Sequence, residues 1–301
     1  MRRGIGWAFL LGSALCLARA PASSAQTQAA RLATFTVSAV DREGGTALSK
    51  GDVRLFVAGK ERPVESLATS DALPLALLID DSVAQGGADQ WNELRQFIQA
   101  QPATTQIAVA YLRDNVATLA RDFTTDRALA AAALRAPQGV GGRSSPYLAT
   151  LDLLRRWPES GPRRSILLIS PGVDFRRGER ASIALPEVEP LVARAQALNT
   201  NVWAVFYPGG GHRGRNFTHV KNGQENLARL AEATGGELFV SGPGAPGSLR
   251  PYLDEVSAHL GSQQLPSFAP ARGESGRHVV DDVRTQVQGV QLLAPSAVYV
   301  Y

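Results

Sequence analysis

The stretch LPLALLIDDSVAQGG, residues 73–87, organises our interpretation of the whole chain. Its first part is a continuous apolar run, which is typical of a strand buried on both faces of a parallel sheet. The run ends at Asp80, Asp81 and Ser82. Ligands of open α/β sheets bind at the carboxyl ends of the strands, so these three side chains are the first candidates for a binding site.

From this strand onward, short apolar runs alternate with segments that have helical spacing of their apolar residues. Alternation of this kind predicts an α/β fold with a doubly wound, mostly parallel sheet. A turn at Asp114-Asn115 predicts a hairpin, and hence one antiparallel edge strand. Residues 209–223 are predicted to be a glycine-containing loop. We predict strands at 75–80, 106–112, 116–123, 165–170, 201–207 and 238–241, and helices at 89–101, 126–134, 146–157, 186–199, 224–234 and 248–260.

Residues 26–70 and 263–301, on either side of this α/β segment, have only the sequence patterns of β-strands. Strands are predicted at 35–40, 52–58 and 62–67, and again at 279–287, 291–293 and 298–301. Neither group has enough strands to bury a core alone. Because chain termini often lie close together, we predict that the two groups pair into one small β-sandwich. The alternative is that each group packs separately on the α/β domain.

The amino terminus has the pattern of a secretory signal peptide. Arg2 and Arg3 precede an apolar run at residues 5–17, and Ser23-Ser24-Ala25 is a small-x-small cleavage pattern. The run is too short for a comfortable membrane span, although a retained anchor is the alternative. We predict an exported protein, periplasmic or secreted, with no membrane span after cleavage. The predicted segments are 1–25 (signal), 26–70 (β), 71–262 (α/β domain) and 263–301 (β).

Net charge limits the classes of partner that we expect, and cysteine content limits the disulfides that can form. The chain has 31 Lys and Arg against 27 Asp and Glu, a net charge of +4; without Arg2, Arg3 and Arg19 it is +1. A nearly neutral exported protein is not expected to bind nucleic acid. The single cysteine, Cys16, lies within the predicted signal, so no disulfide is expected in the mature chain.

The order of these elements resembles a von Willebrand factor type A domain. The stretch LARLAEATGG (227–236) and the strand before it strengthen the likeness. LSKGDVRLFVAGKERP (48–63) and LGSQQLPSFAP (260–270) are similar to the flanking segments of a group of secreted bacterial proteins called VWFA-related. The resemblance covers nearly all of the mature chain. It implies a module that binds a partner at the C-terminal ends of the sheet strands, at a metal-ion-dependent adhesion site.

The first motif of that site is only partly present. The family pattern Asp-x-Ser-x-Ser reads Asp80-Asp81-Ser82-Val83-Ala84 here. The resemblance therefore implies Asp80 and Ser82 as remnant metal ligands. Ala84 offers no side-chain oxygen, although a divalent cation needs about six oxygen ligands.

The other two motifs depart further. Where the family has Gly-Gly-Thr, this chain has Gly-Gly-Arg143, and Ser144 or Ser145 is the candidate substitute. Where the family has Asp after the strand at 165–170, this chain has Pro171, with Asp174 nearby. From these departures we predict a degenerate metal site that holds either no cofactor or weakly bound Mg²⁺. Arginine cannot be a metal ligand, so we hypothesise that Arg143 pairs with Asp80 or Asp81 instead.

Several loops at the same strand ends are basic. Arginine suits carboxylates and phosphates, so a docking face for a protein or an acidic envelope polymer is predicted, and solvated loop charge is the alternative. The basic residues include Arg180 and His212. The predicted partner-binding residues are Asp80, Asp81, Ser82, Arg143, Ser144, Ser145, Asp174, Arg176, Arg177, Arg213 and Arg215.

The leading functional hypothesis is an exported protein-binding, adhesion-type module that is not an enzyme. One alternative is a structural cell-envelope protein that docks through its β-sandwich. Another is a hydrolase that uses Asp80, Asp81 or Asp174 with a histidine from residues 209–221. The sequence has no pattern of an activated nucleophile, which disfavours the hydrolase.

Overall fold

Fifteen strands and six α-helices are defined in the described part of the chain. The structure is a computed structural model that describes residues 32–301 apart from 42–47, 71, 86, 140, 142, 158–162, 178–184, 212–215, 241 and 243. The predictions for the signal peptide, Arg180, His212, Arg213 and Arg215 lie outside the described residues. The helices are α1 (Ala88–Ala100), α2 (Arg127–Ala132), α3 (Pro146–Arg156), α4 (Val188–Ala197), α5 (Phe217–Ala233) and α6 (Arg250–Gly261).

The strands group into three sheets. They are β1 (Ala33–Thr34), β2 (Val37–Asp41), β3 (Val53–Val57), β4 (Lys60–Arg62), β5 (Ser66–Ala68), β6 (Leu73–Asp80), β7 (Thr105–Arg113), β8 (Val116–Thr124), β9 (Arg164–Ser170), β10 (Thr200–Phe206), β11 (Leu238–Phe239), β12 (Gln263–Phe268), β13 (Gly276–Thr285), β14 (Val290–Leu293) and β15 (Ala297–Val300).

The central sheet has the order β11-β10-β9-β6-β7-β8. Adjacent strands in this sheet are parallel, except that β7 and β8 are antiparallel, so the sheet is mixed. The predicted hairpin is confirmed: Asp114 and Asn115 connect these two strands with φ values of 49° and 67°. Positive φ at both central residues matches the twist of a two-residue hairpin turn.

Helices cover both faces of the central sheet, because side chains alternate along each buried strand. In β6, Leu75, Leu77 and Ile79 belong to one apolar core with α1, α2 and α6. Ala76 and Leu78 belong to a second core with α3, α4 and α5. The α/β fold predicted from the sequence is therefore confirmed. The same alternation decides where the polar residues that follow β6 are directed.

The amino-terminal and carboxyl-terminal strands pair with each other in two small sheets. One has the order β1-β12-β2-β14, with β5 also on β12, and the other has the order β15-β13-β3-β4. The two sheets share one apolar core, which includes Phe35, Leu55, Phe268 and Val298. The alternative in which each group of strands packs separately is therefore wrong.

The small sheets contact the amino ends of the central strands. Asn199, which precedes β10, accepts hydrogen bonds from Thr36 N–H (2.8 Å) and Thr36 Oγ1 (2.9 Å). Ser296 N–H donates to the carbonyl of Ala233 (3.0 Å). The candidate site, at the carboxyl ends of the strands, therefore lies at the other end of the central sheet.

Helix α5 begins earlier than predicted, because Gly223 lies inside it rather than ending a loop. A Cβ at Gly223 would meet the carbonyl oxygen of Pro171 at 2.1 Å, so the glycine permits close backbone packing. The Asn216 side chain caps the helix by accepting from Thr218 N–H (3.0 Å) and His219 N–H (3.3 Å).

Strand β12 was not among the predicted strands. Pro266 within it reads as a strand breaker, because proline lacks a ladder donor. The strand nevertheless forms, and Pro266 faces Leu67 of β5 in the antiparallel ladder.

Candidate functional site

The candidate site is the strand-end face, by which we mean the carboxyl ends of β6, β9 and β10 with the loops that follow them. Asp80 is the last residue of β6 and Asp81 is the first residue after it. Both are buried, each with 1% of its surface exposed. Because side chains alternate, the two neighbouring carboxylates have entirely different partners.

Asp80 is held by uncharged donors. Ser82 N–H donates to its Oδ1 (2.9 Å), and Ser170 Oγ at the end of β9 donates to its Oδ2 (2.8 Å). Gly172 N–H in turn donates to Ser170 Oγ (3.0 Å). These bonds connect β6 to the loop after β9.

Burial raises the pKa of Asp80, because desolvation disfavours the charged carboxylate. Hydrogen bonds from Ser82 and Ser170 oppose this increase in pKa, and the negative charge of Asp81 adds to it. Among the described residues no histidine hydrogen-bonds to Asp80, so the acid–base partner required by the hydrolase alternative is not seen there.

Asp81 is held by a guanidinium. Arg135 Nη1 and Nη2 donate to its two oxygens at 2.7 and 2.9 Å, which is a bidentate pair. Gln138 N–H also donates to Asp81 Oδ1 (3.1 Å). The Arg135 guanidinium lies 3.5 Å from the ring centroid of Tyr111 on β7. Hydrogen bonding to Asp81 raises the pKa of Arg135, which favours the charged form of the guanidinium.

The hypothesis that Arg143 pairs with Asp80 or Asp81 is wrong. Arg143 is exposed, and its side chain has no ion pair or hydrogen bond with any residue that the structure describes. Arg135, in the loop after α2, takes the place that we expected for Arg143. The sequence hardly indicates this role for Arg135. The one local feature is its position directly after the predicted Ala-rich helix at 126–134.

The two candidate serines contribute mainly through their backbone. Ser144 C=O accepts from Phe175 N–H (2.8 Å), and Ser145 N–H donates to Asn115 Oδ1 (3.0 Å). Both residues are buried. The hydroxyls of Ser82 and Ser145 are also buried, and neither has a hydrogen-bond partner among the described residues.

Asp174 is paired with Arg176. Arg176 Nη2 donates to Asp174 Oδ2 (2.7 Å) and to Glu187 Oε1 (2.6 Å), and its backbone N–H donates to Asp174 Oδ1 (2.9 Å). The Asp174 side chain is only 1% exposed. Arg177 belongs to the same 3₁₀ turn as Phe175 and Arg176. Arg176 thus forms an ion pair within the chain, and its role in partner binding stays a prediction.

These residues do not fit a divalent cation. Within the residues that the structure describes, Asp80 is the one candidate carboxylate without an arginine partner, since Asp81 and Asp174 are each bound by a guanidinium. Positions 84 and 171 are Ala and Pro, which offer no side-chain oxygen. Two buried serine hydroxyls and one carboxylate fall well short of about six oxygen ligands. In the described part of the chain no group of three or more His, Cys, Asp or Glu side chains could hold a metal.

The loops after β6 and β10 are joined by backbone hydrogen bonds. Ala84 N–H donates to Pro208 C=O (2.8 Å), and Gly210 N–H donates to Ser82 C=O (2.9 Å). Beside this junction lies an apolar cleft of about 500 Å³. Phe217, at the start of α5, is 80% exposed and forms one wall. The cleft is lined by Ala84, Pro208, Gly209, Phe217, Val220, Gly244 and Ala245.

Comparison with known proteins finds similarity in structure rather than in sequence. No family model matches the chain, and no curated protein matches it.

In the described part of the chain, no helix is both long and apolar enough to cross a membrane.

Three solved structures illustrate the structural similarity. A von Willebrand factor type A protein from Catenulispora acidiphila is 12% identical, with a TM-score of 0.45, over 89% of this chain and 73% of its own. The vWF domain of the type V pili tip protein Mfa5 from Porphyromonas gingivalis is 12% identical, with a TM-score of 0.45, over 64% of this chain and 96% of its own.

The third is proximal thread matrix protein 1 from the mussel byssus, described with a zinc-occupied MIDAS motif. It is 13% identical, with a TM-score of 0.45, over 66% of this chain, which spans 48% of the mussel chain. No ligand or partner of this chain follows from likenesses at these identities. The similar structures include von Willebrand factor type A domains, the family that the sequence resembles.

Proposed function

We propose that this protein is an exported, protein-binding module of the adhesion type that binds its partner at the strand-end face. The observation that carries the proposal is the apolar cleft with Phe217 beside it. A phenylalanine that is 80% exposed loses the stabilisation that burial would provide. Exposed apolar groups beside a cleft are typical of a surface that binds another protein.

The partner that suits this cleft is a protein segment with an apolar side chain. The cleft volume of about 500 Å³ is large enough for an aromatic or branched aliphatic group. Phe217 would then pack against that group and lose its contact with water. Truncation of one such aromatic residue at an interface commonly costs more than about 1 kcal/mol of binding free energy.

The predicted partner-binding residues divide into two groups under this proposal. Asp80, Asp81, Asp174 and Arg176 are buried or paired and hold the loops in place. Arg143 is exposed and has no partner among the described residues, so it is the cation that can meet an acidic group of the partner. Of the two predicted basic residues whose side chains the structure describes, Arg143 and Arg176, only Arg143 has no partner within the described residues.

We also propose the coarser organisation that the sequence predicted. Residues 1–25 would be a signal peptide, residues 71–262 the type A domain, and residues 26–70 and 263–301 the two halves of a small β-sandwich. The pairing of β2 with β14 and of β3 with β13 supports the sandwich. An exported location, periplasmic or secreted, goes with the signal peptide.

Site-specific photo-crosslinking tests where the partner binds. A photoreactive phenylalanine analogue replaces Phe217, and in a matched control it replaces Val279, which is 51% exposed on β13 at the other end of the molecule. We expect one crosslinked protein from position 217 and none of comparable yield from position 279. A product from position 279 alone would support the structural envelope alternative, in which the small sheets dock.

The variant Phe217→Ala then separates binding from folding. Because Phe217 is mostly exposed, we expect a change below about 0.5 kcal/mol in the free energy of unfolding. Affinity for the crosslinked partner should fall about tenfold or more. Unchanged affinity, measured by titration of the purified partner, would contradict the proposal.

A further inference from the structure

We infer that Arg135 and Arg176 hold the strand-end face together in the way that a bound divalent cation would, so that this face is assembled without metal. The inference goes beyond the proposed function, because it concerns how the face is built rather than what binds there. It is carried by the mismatch between the expected metal donors and their actual partners.

Arg135 connects three separate parts of the chain. Its guanidinium forms two hydrogen bonds with Asp81 after β6 and lies over the ring of Tyr111 on β7. Its backbone exchanges hydrogen bonds with the same tyrosine: Arg135 N–H donates to Tyr111 Oη (2.5 Å), and Tyr111 Oη donates to Arg135 C=O (2.8 Å). One side chain therefore fixes β6, β7 and the loop after α2 relative to one another.

Arg176 likewise connects separate parts of the chain next to β9, the strand beside β6. It joins Asp174, in the loop after β9, to Glu187, which directly precedes α4. The Arg176 side chain is 27% exposed, whereas the Asp174 side chain is 1% exposed. The buried carboxylate is thus neutralised from within the chain.

A divalent cation would compete with these pairs. To use Asp81 or Asp174 it would have to displace a guanidinium that already makes two hydrogen bonds with that carboxylate. Removal of one partner from a buried pair is costly, because the other charge is left uncompensated. Ala84 and Pro171 add no side-chain oxygen that could offset this cost.

Thermal unfolding of the purified protein tests the inference. Midpoints are measured in EDTA and in millimolar Mg²⁺, Mn²⁺ or Ca²⁺, for the unaltered protein, Arg135→Met and Arg143→Ala. Methionine keeps an unbranched apolar stem at position 135 but removes the guanidinium and its charge. Arg143→Ala is the matched control, because Arg143 is exposed and has no partner among the described residues.

We expect no metal to change the midpoint of the unaltered protein, because a ligand raises the midpoint only if it binds the folded state. Arg135→Met should lower the midpoint by about 5 to 10 °C. Arg143→Ala should leave it unchanged. A saturable, metal-dependent rise in the unaltered protein that is lost in Asp80→Ala would overturn the inference, and so would equal midpoints for Arg135→Met and Arg143→Ala.

Two further variants keep the test decisive if Arg135→Met does not fold. Arg135→Lys keeps the charge without the planar fork, so its midpoint should fall between those of the unaltered protein and Asp81→Asn. In the double variant Asp81→Asn/Arg135→Lys, the loss should be smaller than the sum of the single losses. Additive losses would show that the two side chains do not act as a pair. None of these readouts involves the partner, so this inference can fail while the proposed function stands, or the reverse.

Discussion

Asp80 and Asp81 are adjacent in the sequence and equally buried, yet they are stabilised in opposite ways. Asp80 receives hydrogen bonds from a backbone amide and a serine hydroxyl, and burial raises its pKa. Asp81 receives a bidentate guanidinium. The difference arises from the strand, which directs consecutive side chains to opposite faces of the sheet. One carboxylate thus meets the α3 side and the other meets the loop after α2.

The largest expected effect separates the two carboxylates directly. Asp81→Asn leaves Arg135 without a counter-charge, and we expect a loss of about 2 to 4 kcal/mol in the free energy of unfolding. Asp80→Asn keeps one acceptor oxygen for Ser82 N–H, can donate its amide N–H to Ser170 Oγ and removes a buried charge, so its change should be below about 1 kcal/mol. Urea unfolding of both variants measures the difference.

Equal losses for these two variants would break the comparison, because they would show that the charge on Asp80 matters as much as the charge on Asp81. Arg143→Ala serves as a control for general effects of charge removal. It should change the free energy of unfolding by less than about 0.5 kcal/mol.

Arg176 provides an intermediate case. Arg176→Met removes the guanidinium from Asp174 and Glu187, and we expect a loss of about 1 to 2 kcal/mol in urea unfolding. The loss should be smaller than for the Asp81 pair, because Asp174 keeps the hydrogen bond from the backbone N–H of residue 176. A loss larger than that of Asp81→Asn would place the main ion pair of the site on the β9 side instead.

The smallest expected effect is a pH dependence that belongs to Asp80 alone. Since the pKa of Asp80 is raised in the folded state, the folded protein binds this proton more tightly than the unfolded chain does. Stability from this group therefore appears as the pH falls through the raised pKa, and it is complete below the ordinary value of 3.8. At neutral pH it is absent.

The unaltered protein should accordingly gain stability relative to Asp80→Asn as the pH is lowered. Urea unfolding of the two proteins in parallel, from about pH 7 to about pH 4, gives the difference between them, so that other titrating groups cancel. A gap that is constant with pH would show that the folded state does not favour protonated Asp80.

The sequence predicted the central sheet well because its strands carry a local signal. The apolar run that ends at Asp80, the hairpin turn at Asp114 and Asn115, and the spacing within the helices each depend on nearby residues only. Helix α5 was predicted to begin seven residues too late, at 224 rather than Phe217. Gly223 reads locally as a helix breaker, and only its contact with Pro171 explains why it lies inside the helix.

The candidate site was predicted in position but not in its pairing. Asp80, Asp81 and Ser82 follow the buried strand β6, as the sequence predicted, but their burial was not predicted. The partner of Asp81 was not predicted either, because Arg135 lies 54 positions further along the chain and no local pattern relates the two. Arg143 was preferred because the resemblance placed it at the expected metal site. Which loops meet is decided by tertiary packing.

The pairing of β2 with β12 and β14 has a consequence for biosynthesis. Strand β2 is made early, but both of its partners lie in the last forty or so residues of the chain. Strand β2 must therefore wait for its partners until β12 and β14 have been made, whereas β3 can pair with β4 at once and the central sheet can form from contiguous segments.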